Sequence, residues 1–522
     1  MTITTEAPVT AWGDFRPGDL VEVNGDDSWD WELIERAEQP GVWIARENGT
    51  QNFQEYHADD MVLSLSVDEV DDPFAEQDEI EPASDEEMVA YIDSLTDEER
   101  QALAGPFPVR WLYPPKAGEP KRALNLFSGC GGWCTGLRKG LRQELDMVCI
   151  DLNADAVATS NAAGCFAVRA DVADLDPDAW VLRWVSVLIM SPPCTDYTRV
   201  GKQLGIQPYN IAILRDAFCD AQEAAGFDLF TGMPGGPMTY KRAADYSWAE
   251  IRAALAPMTA PTAGLMLEVL IFGLGLLGAG APLETIAVEQ SSALPEVIRG
   301  DLWASFEVAG FAYNRWVQLD SAEAGNPSHR RRWFHMISLH PISATVELDS
   351  PLVTLANEAI GCPPELEVTT RGNRRTSGGN KFVMGRQIPS LTSRIRSWEV
   401  GEHGDRFTYA QIALLAGLPA DHPEIGSRTS IAQQRADIVS PVSAIRVLGT
   451  LFNLEWRPSL HRYLSELYPN VHAPERLPGL CHPTEPCTHP WPCGLDLRQW
   501  LAGAQRAVPA PRPKPTAQLE LF

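Results

Sequence analysis

Residues 191–198, Ser-Pro-Pro-Cys-Thr-Asp-Tyr-Thr, directly follow the apolar run Val-Ser-Val-Leu-Ile-Met. Prolines fix φ and push the preceding residue towards extended backbone, so Cys194 is held rigidly where a buried strand ends. A thiol in such a place suits nucleophilic attack, with the thiolate as the reactive form. Further along, Ile-Ala-Val leads into Glu289, Gln290 and Ser291. A carboxyl at a strand end beside a nucleophile can protonate or hydrogen-bond a ring nitrogen. Residues 325–334 then carry Arg330, Arg331 and Arg332. Strand alternation puts Arg330 and Arg332 on one face, two guanidinia suited to an oxyanion or a carbonyl.

Upstream of the cysteine, Phe127-Ser128-Gly129-Cys130-Gly131-Gly132 falls between a strand pattern and a helix pattern. Glycines there let a ligand approach the backbone and leave helix N–H groups free, although the spacing is not that of the G-x-G-x-x-G turn. Asp151 ends the next strand and could chelate a ribose diol, and Asp171 ends a third and could accept from an adenine amino group. Near the C-terminus Cys481, His482, Cys487, His489 and Cys493 gather within thirteen residues. They are candidate zinc ligands, without the C-x-x-C spacing of common zinc sites.

The elements that must position these groups follow from periodicity. Residues 1–66 alternate polar and apolar in short runs around residues 19–23, 31–35, 41–46 and 60–65, a small β-barrel-like module. An acidic linker and a helix over 84–103 occupy 67–121. From residue 122 strand and helix alternate: strands at 123–127, 147–151, 185–190 and 285–289, helices at 135–145 and 154–163. That pattern predicts an α/β fold with a parallel sheet covered on both faces. Residues 122–339 form its main part, with an insertion at about 206–261. A basic irregular region spans 340–400, helices return at 408–418 and 442–454 within 401–460, and 461–522 extends beyond. Net charge is −28, of which residues 1–122 hold −22. Residues 368–398 carry seven basic residues and no acid, a local footprint for phosphate. The apolar run at 265–280 is glycine-laced and short for a membrane span. The N-terminus lacks a secretory pattern, and the ten cysteines suggest reduced thiols in a cytoplasm.

In this order the motifs resemble the cytosine-C5 DNA methyltransferase family over about residues 122–455. The resemblance implies a Rossmann-like domain that binds S-adenosylmethionine. Phe127, Ser128, Gly129 and Gly131 match its cofactor turn, Asp151 with Leu152 the ribose position, and Asp171 the adenine contact. Pro193-Cys194 matches the nucleophile loop, Glu289 the catalytic acid, and Arg330 and Arg332 the paired arginines. Residues 434–441 resemble the family's closing segment. The implied reaction is addition of Cys194 to C6 of a flipped cytosine in double-stranded DNA, with Glu289 at N3 and N4 and Arg332 at O2. Lys202, Arg371, Arg374, Arg375, Lys381 and Arg386 are the expected DNA contacts, and 340–400 the target-recognition region. The acidic N-terminal module is a candidate site for a protein partner, and the cytoplasm of a bacterium or phage-infected cell the expected location. Gln290 stands for the family's asparagine, Ser328 for a glutamine, Ala436-Asp437 for Gly-Asn, and Leu152 for an aromatic. Three rivals stay open: an RNA cytosine methyltransferase, transfer of another group to C5, and an inactive DNA-binding homologue.

Overall fold

The computed structural model describes residues 84–198, 203–226, 247–370 and 380–473, with the backbone of five strands between residues 20 and 65. The chain divides between Tyr91 and Ile92 into two compact units. In the first, β1 (Leu20–Val23), β2 (Trp31–Arg36), β3 (Val42–Glu47), β4 (Phe53–His57) and β5 (Met61–Leu65) pair antiparallel in the order β4-β3-β2-β1-β5. Four strands coincide with the alternating runs, and β4 lies outside them.

The second unit is built on seven strands: β6 (Arg122–Leu126), β7 (Asp146–Asp151), β8 (Phe166–Arg169), β9 (Val185–Met190), β10 (Thr285–Ser291), β11 (Tyr313–Asp320) and β12 (Arg331–Ser338). Their order is β11-β12-β10-β9-β6-β7-β8. Every residue of β6, β9 and β10 is buried, as expected of strands covered on both faces. The expected all-parallel sheet is corrected at one edge, where β12 runs antiparallel to both β10 and β11. Only ten residues separate β11 from β12, too few for the crossover a parallel pair needs. From β6 the chain steps outward to β7 and β8, then returns to β9 on the other side of β6. That reversal opens a crevice at the C-terminal ends of β6 and β9.

Several helices differ from expectation. The segment 84–103 is two helices, Asp85–Ser94 and Asp97–Ala104, because Thr96 and Glu99 form a capping box that starts a new one. After the cofactor turn, an α-helical turn over Gly132–Thr135 continues as a π-wound segment, Gly136–Leu141, and stops at Arg142 in the left-handed region. In the insertion, Pro208–Ala224 and Trp248–Ala253 are helical. The run Pro261–Gly278 is long and apolar enough to span a membrane, yet it lies mostly buried inside the fold. Its Glu268 accepts two hydrogen bonds from Arg252, at 2.9 and 2.8 Å. The expectation of reduced thiols is corrected at one pair: Cys134 and Cys165 are joined, with Cα atoms 6.5 Å apart. The turn before β8 brings Cys165 against the Gly131 backbone, which sets it opposite the first turn of helix.

The helix Pro441–Leu451 is wholly buried. It packs against the helical segment after the turn 127–131 because Gly132, Gly136 and Gly140 present a smooth stripe to residues 438–445. A Cβ on Gly132 would run into the Val439 carbonyl, and one on Gly136 would stand 2.6 Å from the Ala444 Cβ. Backbone cannot yield as a flexible side chain can, so Gly132→Ala is expected to cost about 1–3 kcal/mol. A urea denaturation midpoint unchanged in that variant would contradict the packing described.

Candidate active site

β10 lies parallel to β9 with Val288 beside Met190, so the loop 191–198 leaves the sheet next to Glu289. The loop is fixed at its start by two side chains. Gln290, fully buried, donates from Nε2 to the Pro192 carbonyl at 3.2 Å, and Trp133 donates from its indole to Ser191 Oγ at 2.8 Å. The Gln290 Oε1 accepts from the Ser291 amide at 2.7 Å, which orients the side chain. Gln290 therefore braces the loop that carries Cys194. Beyond the thiol, the amides of Tyr197 and Thr198 both donate to the Cys194 carbonyl, at 3.0 and 3.2 Å. Cys194 is a free thiol, and burial pushes its pKa up. Arg332 pulls that pKa back down, while Glu289 adds to the rise.

Glu289 and Arg332 come together from β10 and β12, where the antiparallel register pairs Ser291 with Arg332. Arg332 Nε stands 3.0 Å from Glu289 Oε1 as a buried ion pair, but the two atoms are not aligned as a hydrogen bond. Each is left without a hydrogen-bond partner. Buried polar groups are nearly always satisfied, so open valences at this strand edge suit a polar ligand. Arg330 corrects the expectation of two parallel guanidinia. It precedes β12, and its Nη1 and Nη2 donate to the carbonyls of Ala436 and Asp437 at 2.5 and 3.0 Å. These carbonyls close the helix Arg428–Asp437, a place that favours a cation. Burial, and then the charge of Arg332, push the Arg330 pKa down to about 10. Its side chain ties the closing helix to the site.

Across the crevice, Phe127 adopts φ 55°, an uncommon left-handed conformation for a residue with a side chain. The turn is drawn tight by Asp151, whose carboxylate accepts from the amides of Gly129 and Asn153, both at 2.8 Å. Burial pushes the Asp151 pKa up, and these two amides oppose the rise. Ser128 Oγ is buried without a partner, and Leu152 is 59% exposed beside Asp151. An acid, an unsatisfied hydroxyl and an open apolar side chain at one strand edge fit a nucleoside with its ribose on Asp151. Asp171 lies two residues beyond β8, where its carboxylate accepts from the Ala173 amide at 3.0 Å. Pro193, half-buried, lies in the loop 191–198.

Two further residues hold the turn and were not expected from sequence. Arg435 donates to Cys130 Sγ at 3.3 Å and to the Pro423 carbonyl at 2.9 Å, and the His422 ring contacts the Cys130 carbonyl at 3.2 Å. Burial pushes the His422 pKa down to about 3, so its ring is neutral. His422 has no local signal, whereas Arg435 lies in the segment 434–441 already singled out; both return to the turn from about 300 positions away. Of the expected DNA contacts, Lys381 pairs with Glu367 at 2.5 Å across the strand pair Glu367–Thr369 and Lys381–Val383. The Arg386 Nε donates to the Gln387 carbonyl at 3.3 Å. Lys202, Arg371, Arg374 and Arg375 lie outside the described residues, as do Cys481, His482, Cys487, His489 and Cys493.

No family model matches the sequence, and no curated protein matches it. Solved structures of similar fold include a methyltransferase of Entamoeba histolytica, 12% identical with a TM-score of 0.43 over 64% of this chain and 98% of that one. A Dnmt2 variant of Spodoptera frugiperda is 14% identical, with a TM-score of 0.39 over 64% and 99%. A DNA modification methyltransferase encoded within an E. coli prophage is 14% identical, with a TM-score of 0.40 over 64% and 99%. At this degree of likeness, function has to be read from the chain's own side chains.

Proposed function

We propose that this protein is a DNA cytosine-C5 methyltransferase that uses S-adenosylmethionine. The observation that carries the reading is the rigid Cys194 loop beside a buried Glu289–Arg332 pair with unfilled hydrogen-bond valences. Phe127, Ser128, Gly129, Gly131, Asp151, Leu152, Asp171 and Pro193 would hold the cofactor, which supplies an electrophilic methyl group when bound. Cytosine C5 is a poor nucleophile, and Cys194 makes it a good one. Its thiolate forms a bond to C6 while the ring π electrons move towards C5. Glu289 hydrogen-bonds N3 and N4 and Arg332 holds O2, so the charge that develops on the ring meets fixed partners. After transfer, loss of the C5 proton returns an electron pair to the ring and expels the Cys194 thiolate. A duplex hides C5 and C6, so the base is flipped out at a cost of about a few kcal/mol. Basic residues of 368–398 are the proposed DNA contacts, since phosphates supply affinity and groove contacts supply sequence choice. The acidic N-terminal unit is a proposed docking site for a protein partner.

Cys194→Ala is expected to lower methyl transfer from labelled S-adenosylmethionine to duplex DNA by about 10⁴–10⁶-fold, the scale of losing a covalent nucleophile, with an unchanged melting curve. Methylation retained in that variant would sink the mechanism, and transfer to RNA but not to DNA would move the reading to RNA.

Because the thiol sits above its ordinary range, kcat/KM is expected to rise with pH as the thiolate forms. Arg332 lowers the thiol pKa, so Arg332→Gln is expected to shift that rising limb to higher pH as well as slow the reaction. A limb unmoved in pH–rate profiles of the two proteins would show that another group governs it.

A further inference from the structure

The residues that follow the insertion, Thr262 and Ala263, reach back to the loop 191–198. Asp196 Oδ2 accepts from Thr262 twice, from its hydroxyl at 2.6 Å and its amide at 3.2 Å. Thr195 Oγ1 lies 3.1 Å from the Thr262 hydroxyl, which already donates to Asp196, so Thr195 is the donor in that contact. The Tyr197 hydroxyl donates to the Ala263 carbonyl at 3.0 Å, and the Asp196 carbonyl accepts from the Gly205 amide at 3.0 Å. The three residues after Cys194 are thus each fixed to the segment 262–263.

That segment is itself anchored. Asn210 and Thr259 exchange two hydrogen bonds of 2.9 Å, which join the helix Pro208–Ala224 to the turn ahead of Pro261. Thr262 lies in the helical turn Pro261–Gly264, which leads through a 3-10 turn into the buried helix Glu268–Gly278. The hydroxyl-to-hydroxyl-to-carboxylate chain is charge-assisted, and its members strengthen one another. Neither Asp196 nor Thr262 is needed to form the sheet or to pack the core.

We propose that Thr262 is a positioning residue for the reaction: acting through Asp196, it holds the loop in the shape that aims the Cys194 sulfur. This rests on the reading of Cys194 as the nucleophile. Gln290 and Trp133 fix the loop before the thiol, and Thr262 fixes it after.

The test compares wild type with Thr262→Val, Asp196→Ala, the double variant and Thr262→Ser, using methyl transfer and covalent trapping on 5-fluorocytosine DNA. A nucleophile displaced by about 1 Å costs up to about 100-fold. Thr262→Val is therefore expected to lower kcat and the trapping rate by about 10- to 100-fold, with KM for DNA and cofactor within about twofold. Thr262→Ser is expected to restore the rate. The double variant should be no slower than the slower single one, because the two act as a unit. Normal kcat in Thr262→Val, failure of serine to rescue, or additive losses would overturn the proposal. Should Thr262→Val fold poorly, Asp196→Ala gives the same reading, and normal trapping by it would overturn the proposal too. Absence of trapping in the wild type would instead overturn the assignment of Cys194.

Discussion

Two neighbouring parallel strands, β6 and β9, send the chain in opposite directions around the sheet, and every feature of the site depends on that divergence. The turn 127–131 leaves β6, the loop 191–198 leaves β9, and the crevice between them is the place where the two can face one ligand. The antiparallel strand β12, one in from the edge, completes it. Because β12 runs against its neighbour, its first residues rather than its last lie at the crevice, which brings Arg332 opposite Ser291 and within reach of Glu289. A parallel strand in that position would have carried Arg332 to the far end of the sheet.

Charge burial is the cost of this arrangement. Glu289, Arg330 and Asp320 are each less than a tenth exposed. An unpaired buried charge costs several kcal/mol, so each must be answered locally. Arg330 is answered by two helix-terminal carbonyls, and Asp320 by the Arg330 and Ala322 amides and the His329 ring. Glu289 and Arg332 answer one another by proximity but keep hydrogen-bond valences open. Arg330 keeps its Nε without a partner, as do the Glu289 and Arg332 atoms that face one another. Departures from full satisfaction are expected at functional sites, where local stability is exchanged for recognition.

The sheet was legible because its strands are unbroken apolar runs, and the cofactor turn and Cys194 loop because glycine and proline have few other reasons to cluster at strand ends. The antiparallel β12 was not read, although the short connection after β11 carries the signal. The break at Thr96 was also available, as a Thr-x-x-Glu capping box inside a run taken as one helix. What the sequence could not reveal were contacts made over long separations by residues without a local pattern. His422 on Cys130, the joined Cys134 and Cys165, and Thr262 on Asp196 are of this kind. Arg330 and Arg332 were read as a pair from strand alternation, but Arg330 precedes the strand, so alternation does not govern it.

Three of the departures from the pattern that the sequence resembles share a physical character. Gln290 still offers an amide N–H to the loop, and the longer side chain is accommodated because its oxygen is held by the next backbone amide. Ala436 and Asp437 act on Arg330 through their carbonyls, which any residue supplies. Ser328 donates to the Leu415 carbonyl at 2.7 Å and accepts from Asn326 at 3.0 Å, so a short hydroxyl anchors the start of β12 to the helix Tyr409–Leu415. In each case the contact is made by a backbone group or by a polar atom that several residue types carry. In the proposed reaction Cys194, Glu289 and Arg332 have no such substitutes, since thiolate addition, a carboxyl at a ring edge and a guanidinium at a carbonyl each need their own functional group.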